Sequence, residues 1–184
     1  MTVVVACLGD SITEGSPYWD SRRRRGDPEG QWEHWAGLLH PQLAFLNYGI
    51  WGERTDEIAE RFDQAVEGAD ILIVQGGIND IAQGRPVAAA AELLSDLVAR
   101  GLARGLTVYV CDVLPWNNGW PTQEAPIREL NALIHAFEVP CLPFHDTLED
   151  PELPGRMKAD WTNDDGDHPS LAGYRRLGEV AFRL

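Results

Sequence analysis

Short apolar runs rich in β-branched residues alternate along this chain with longer segments whose apolar positions recur at i, i+3 and i+4. The short runs predict strands over residues 2–8, 44–48, 71–75, 107–111 and 139–142. The longer segments predict helices over 31–40, 54–67, 87–104, 123–137 and 170–183. Strands and helices in strict alternation are the mark of βαβ units. The fold class is therefore α/β, a three-layer α/β/α sandwich around a five-stranded parallel sheet. Thr55 or Asp56 is expected to open the second helix, Gly101 and Gly105 to bracket the end of the third, and Ser170 to cap the last. Residues 16–30 read as the one long stretch without regular structure, and loops of that length in compact domains are usually functional or mobile.

Ligands of open α/β sheets bind outside the carboxyl ends of the strands, so the polar residues that follow each strand carry the function. After the first strand come Gly9, Asp10, Ser11, Ile12 and Thr13, and after the second Asn47, Tyr48, Gly49, Ile50, Trp51 and Gly52. The third is followed by Gly76, Gly77, Ile78, Asn79 and Asp80, and the fourth by a run from Asp112 through Trp116 to Trp120. Beyond the fifth lie Asn163, Asp164, Asp165, Gly166, Asp167, His168 and Pro169. Glycines and hydrogen-bonding side chains thus converge on one edge.

Length and composition narrow the class without naming a chemistry. With 184 residues, 44% of them hydrophobic, the chain suits one domain over 1–184 that needs no disulfide or structural metal. Its three cysteines, Cys7, Cys111 and Cys141, show no paired spacing, and the first two fall in apolar strand runs, which predicts reduced core thiols and a cytoplasmic protein. The first residues enter a strand at once, so no signal peptide is expected, and no apolar stretch reaches the ~20 residues of a membrane helix. A formal charge of −14 argues against nucleic acid as a partner. Arg22, Arg23, Arg24 and Arg25 are the local exception, readable as a solvated loop balanced by Asp20, Asp27 and Glu29 or as an anchor for an anionic substrate tail.

A serine becomes a nucleophile only when a base takes its proton. Of five serines, Ser11 alone lies at a Gly-flanked strand end; Ser95 is mid-helix, Ser170 a cap, and Ser16 and Ser21 belong to the long loop. His34, His40 and His135 read as helix residues and His145 as a loop residue after the fifth strand. His168 stands apart, with an acid cluster before it and a proline after it that restricts its backbone. Asp165 at i−3 shares a face with it in a helical turn, and Asp164 at i−4 does so too, so spacing leaves both open. Backbone N–H groups of Ser11 and Gly52 and the side chain of Asn79 are placed to serve a developing oxyanion.

The blocks LGDSITEG, NYGIWGERT, GGIND and DDGDHP resemble, in order and separation over nearly the whole chain, the four sequence blocks of the SGNH hydrolase superfamily of GDSL-like esterases and lipases. The resemblance implies Ser11 as nucleophile, Gly52 and Asn79 with Ser11 as oxyanion donors, and His168 as base, and it selects Asp165 through the Asp-x-x-His pattern. It also implies a flavodoxin-like strand order 2-1-3-4-5. Trp51, where the resembling pattern commonly has a small residue, and the arginine-rich insert depart from it and bear on substrate preference. The absence of a Gly-x-Ser-x-Gly elbow speaks against the α/β-hydrolases proper.

The expected activity is serine-dependent hydrolysis of small carboxylic esters, with Trp51, Trp116 and Trp120 walling a site for short acyl groups and no cofactor or metal required. Acyl-thioester and lysophospholipid cleavage share the same blocks. Two rivals belong to other classes. Asp10, Asp112, Asp164, Asp165 and Asp167 could hold Mg2+ for phosphoryl or metal chemistry, and the three tryptophans could bind a sugar or flavin without turnover.

Overall fold

The computed structural model describes residues 2–183. Its frame is a five-stranded parallel sheet of β1 (Val3–Gly9), β4 (Leu43–Gly49), β5 (Ile71–Val74), β6 (Thr107–Cys111) and β7 (Cys141–Leu142) in the order β4-β1-β5-β6-β7. Counted along the sheet strands alone, this is the expected 2-1-3-4-5. Side-chain alternation explains why each strand reads as continuously apolar. Ala6, Leu8, Leu72, Val74, Val108 and Val110 face one buried cluster, while Val5, Cys7, Ile71, Ile73 and Cys111 face the other. A strand covered on both faces has no polar side to display.

The first cluster is closed by α3 (Thr55–Glu60), α4 (Phe62–Ala65), α6 (Val87–Ala103) and α7 (Glu124–His135), through Ile58, Phe62, Leu94, Leu97, Leu130 and Ile134. The second is closed by α2 (Trp32–Leu39), α8 (Phe144–Leu148), α9 (Leu171–Arg176) and the π-helical turn Leu177–Ala181, through Trp32, Phe144, Leu148, Tyr174 and Leu177. Three layers result. Two short helices, α1 (Ser11–Glu14) and α5 (Ile78–Ala82), follow β1 and β5 directly at the carboxyl edge. Among the described residues no helix is long and apolar enough to cross a membrane.

Several expectations need correction. Residues 16–30 are not structureless: β2 (Trp19–Asp20) pairs antiparallel with β3 (Arg25–Gly26), a 3-10 turn covers Pro28–Gly30, and Ser16 is buried. The helix expected over 54–67 breaks at Arg61 into α3 and α4, and that over 170–183 changes to π geometry at Leu177. Neither Thr55 nor Asp56 is the cap residue of α3; Arg54 holds that position, and Asp80 from α5 accepts hydrogen bonds from the Thr55 amide (2.9 Å) and hydroxyl (3.0 Å). A cap supplied from a distant element leaves no local spacing to read. Gly101 lies within α6 against Leu72 and Val108, while Gly105 follows the helix end at φ +79°. Ser170 caps α9 as expected, accepting from the Gly173 amide. The fifth strand shrinks to Cys141–Leu142, and His145 is a buried residue of α8 rather than of a loop. A second hairpin, β8 (Glu149–Asp150) with β9 (Leu153–Met157), was outside the expected element set.

Candidate active site

The chain leaves β1 for β4 on one side and β5 lies on the other, so the crevice at the end of β1 is the topological switch point where α/β sheets bind ligands. Ser11 stands there as the first residue of α1. Asp10 sets the turn by accepting from the Ile12 amide (2.9 Å), and Gln75 at the end of β5 accepts from the Asp10 and Thr13 amides and the Thr13 hydroxyl. The approach of β4 is equally tight: a Cβ on Gly49 would lie 2.0 Å from the Glu14 nitrogen, so only glycine fits.

His168 reaches this point from 157 residues away. Its Nε2 lies 3.0 Å from Ser11 Oγ and its Nδ1 2.8 Å from Asp165 Oδ2. The segment carrying the pair is a closed turn and not the helical turn that spacing suggested. The Asn163 amide donates to the His168 carbonyl (2.8 Å), Gly166 adopts φ +70°, and Thr162 bridges Pro169. Asp165 Oδ1 meanwhile accepts from the amides of Asp167 (2.9 Å) and His168 (3.0 Å). Burial pushes the Asp165 carboxyl up, but the Asp167 amide and the His168 ring and amide outweigh it and hold the group below the usual carboxylate value. An ionised Asp165 keeps the proton on Nδ1 and leaves Nε2 free to accept from Ser11. Asp164 makes no part of this chain of hydrogen bonds.

The other sequence-chosen residues separate into those at the site and one that is not. Gly52, at φ +79° in the turn after β4, and Asn79, in α5, line with Ser11 and His168 a cavity of about 350 Å³. Asn79 Nδ2 donates to the Glu53 carbonyl (2.8 Å), which uses one of its two N–H bonds. Trp51 is 65% exposed and Trp116 half-buried, and both wall the cavity together with Ile12, Ile78 and Leu114. Trp120 does not reach it; that indole is 40% exposed, beside the Arg156 guanidinium at 5.4 Å. Beyond Trp120 the chain enters α7 within four residues.

A second cavity of about 340 Å³ lies across Trp51 and His168 from the first and is lined by Pro17, Trp19, Asp20 and Arg22. Arg22 alone of the four arginines borders it. Arg22 to Arg25 are all exposed, and Arg23 pairs with Asp20 at 3.3 Å. The acids proposed as Mg2+ ligands do not gather: Asp10 is buried beneath α1, Asp112 bonds to the His145 amide and His135, and Asp164 is exposed.

Two functional neighbours escaped the sequence. Asp167 Oδ1 accepts from Trp116 Nε1 (2.6 Å) and Asn118 Nδ2 (2.8 Å), tying the loop after β6 to the histidine turn. Arg61 donates to the carbonyls of Tyr48 (2.8 Å) and Gly9 (3.2 Å) and pairs with Glu53, which braces the Gly52 turn against β1. Asp167 had a signal, its place in the acid cluster before His168. Arg61 had none.

The model of the GDSL-like lipase/acylhydrolase family matches residues 7–176. The fold is similar to that of a member of the lipolytic protein G-D-S-L family from Veillonella parvula DSM 2008, at TM-score 0.81, 20% identity and 100% coverage of both chains. It is similar also to the lipase/acylhydrolase from Enterococcus faecalis, at TM-score 0.76 and 22% identity over 97% of this chain and 92% of that one. Clostridium thermocellum family 3 carbohydrate esterase aligns at TM-score 0.74 and 19% identity, covering 98% and 93%. The sequence matches no curated protein.

Proposed function

Because the chain belongs to the GDSL-like lipase/acylhydrolase family, we propose that it hydrolyses carboxylic esters through an acyl-enzyme on Ser11. The observation that carries this reading is the continuous hydrogen-bonded chain from Ser11 Oγ through the His168 ring to Asp165, at 3.0 and 2.8 Å. Ser11 Oγ attacks the ester carbonyl as His168 Nε2 takes its proton, and Asp165 stabilises the imidazolium that forms. The carbonyl oxygen, now an alkoxide, is met by the amides of Ser11 and Gly52 and by the second N–H of Asn79 Nδ2, the first being held by Glu53. The Ser11 amide opens α1 and has no acceptor within the helix. Collapse expels the alcohol, which receives the proton from His168. Water then attacks the acyl-enzyme as it gives a proton to His168 Nε2, and collapse releases the carboxylic acid while His168 returns the proton to Ser11 Oγ.

The acyl group is short, acetyl to butyryl. Trp51 and Trp116 close the cavity beside Ser11, and about 350 Å³ shared between substrate and solvent favours a small group. The natural substrate is a small molecule, and the three free thiols, two of them buried, support a reducing compartment such as the cytoplasm. A serine-reactive phosphonate tests the mechanism: label should map to Ser11, and Ser11→Ala should lose on the order of 10^6 in kcat. Hydrolysis by protein that never takes up label would overturn it.

A further inference from the structure

At the far end of the carboxyl edge from Ser11, three side chains of different elements converge. Asp112 follows β6, His135 ends α7 and Cys141 opens β7, and one ligand atom from each lies within 4.8 Å of the other two. Asp112 is 2% exposed, and its Oδ2 is 2.9 Å from His135 Nε2 while its Oδ1 accepts from the His145 amide at 2.7 Å. Cys141 Sγ makes a long contact to the Leu142 carbonyl, 3.7 Å. A cavity of about 220 Å³, bordered by Asp112 and His135 with Arg128, Asn131, His145 and Asp146, lies against two of the three side chains. We propose that Asp112, His135 and Cys141 form a zinc-binding site, with water as the fourth ligand on the cavity side.

Donor type, geometry and charge all favour this ion. One thiolate, one imidazole and one carboxylate make a mixed set that suits Zn2+, whereas Mg2+ and Ca2+ demand oxygen. Tetrahedral Zn2+ with these ligands sets its donors roughly 3.3–3.6 Å apart, so the Asp112–His135 contact need open by only about half an ångström. On binding, the Zn–S bond replaces the S–H bond and one proton leaves to solvent. The ion with one thiolate and one carboxylate is then neutral, which removes the cost of a buried charge.

The site would pin the sheet edge that leads to the catalytic cavity. Val113 follows Asp112 and is held by the Asn131 side chain through its amide (2.7 Å) and carbonyl (2.8 Å), and Leu114 and Trp116 beyond it are cavity walls.

Chelator-stripped full-length protein titrated with Co2+ and then Zn2+ tests the assignment. One ion per chain should bind, Co2+ should give a thiolate charge-transfer band, and Zn2+ at a hundredfold over Kd should raise Tm by about 5–10 °C. Cys141→Ser should abolish the band, and His135→Ala should weaken Zn2+ at least about tenfold, since even outer-shell changes cost that much. His135 is half exposed, so its variant carries the test if Cys141→Ser fails to fold. Glu149→Gln, altering the neighbouring His145, Asp146 and Glu149 cluster outside the cavity, should leave the band and the stoichiometry unchanged. No stoichiometric binding, a band that survives Cys141→Ser, or loss of binding in Glu149→Gln would overturn the proposal.

Discussion

Asn79 makes one hydrogen bond to its own scaffold and keeps one N–H for a ligand, so its removal separates structural from catalytic roles. The bond to the Glu53 carbonyl fixes the amide plane, and the side chain lines the cavity beside Ser11, where the proposed mechanism needs an oxyanion donor. A donor that strengthens its bond only as charge develops acts on the transition state. Asn79→Ala is therefore expected to lower kcat by roughly 10^2 to 10^3 with little change in KM. Steady-state kinetics beside a melting curve checks this, and a raised KM with kcat intact would assign Asn79 to ground-state binding. Asp165 shows a comparable division of labour. One oxygen holds the imidazole and the other holds the backbone of its own turn, so the turn cannot open without loosening the ring.

At the scale of elements, the proposed preference for short acyl groups rests on the turn after β4, which carries both Gly52 and Trp51 at the cavity wall. Gly52 borders the cavity, and its positive φ suits the turn to glycine. The preceding indole is thereby left between the two cavities that flank His168, half or more of it in solvent. An exposed side chain contributes little to core packing, so Trp51→Ala should leave Tm within a few degrees of wild type. It should keep acetyl-ester turnover within about tenfold and raise relative activity on octanoyl and longer esters, each newly seated methylene adding up to ~0.8 kcal/mol. A panel of esters of graded length measures this directly. Unchanged chain-length preference would mean that Trp51 does not limit the acyl site. Trp19 and Asp20 of β2, with Arg22 as the one arginine of the hairpin loop, wall the second cavity opposite Trp51.

For the whole molecule, buried carboxyls oppose the usual acid lability. Asp10 is fully buried, its Oδ2 unpartnered, and desolvation raises its carboxyl from 3.8 to about 6 despite the Ile12 amide. Burial also lifts Glu33, beneath Asn47, well above its ordinary range. A folded value above the unfolded one means that the native state binds the proton more tightly. The stability this confers is full below the unfolded value and is lost as pH rises through about 6. Wild type should thus lose about 2 kcal/mol more than Asp10→Asn between about pH 4.5 and pH 7, as read by urea unfolding. The variant keeps an oxygen for the Ile12 amide, so the cap survives the change. Parallel pH profiles would show that Asp10 ionises freely in the folded state. Asp165, held low, has the opposite sign and loses its contribution as pH falls.

The alternation of strands and helices, the continuously apolar strand runs and the residues that converge at the carboxyl edge are all written in the chain's local pattern. These follow from periodicity and from the backbone demands of glycine, which are local and so leave a local trace. Ser11, His168, Gly52 and Asn79 are legible as candidates for the same reason, since each stands after a strand or in one acid-rich turn, whereas spacing leaves Asp165 and Asp164 open and the Asp-x-x-His resemblance chooses between them. Tertiary structure alone decided the rest. The Asp80 cap of α3, the Arg61 brace under Gly52, the Asp167 anchor of Trp116 and the departure of Trp120 from the site all join residues remote in sequence. Asp112, His135 and Cys141 likewise meet only because β6, α7 and β7 pack side by side. No spacing rule encodes such pairs, because the distance between two side chains on different elements is fixed by how those elements dock, and docking is set by the whole core.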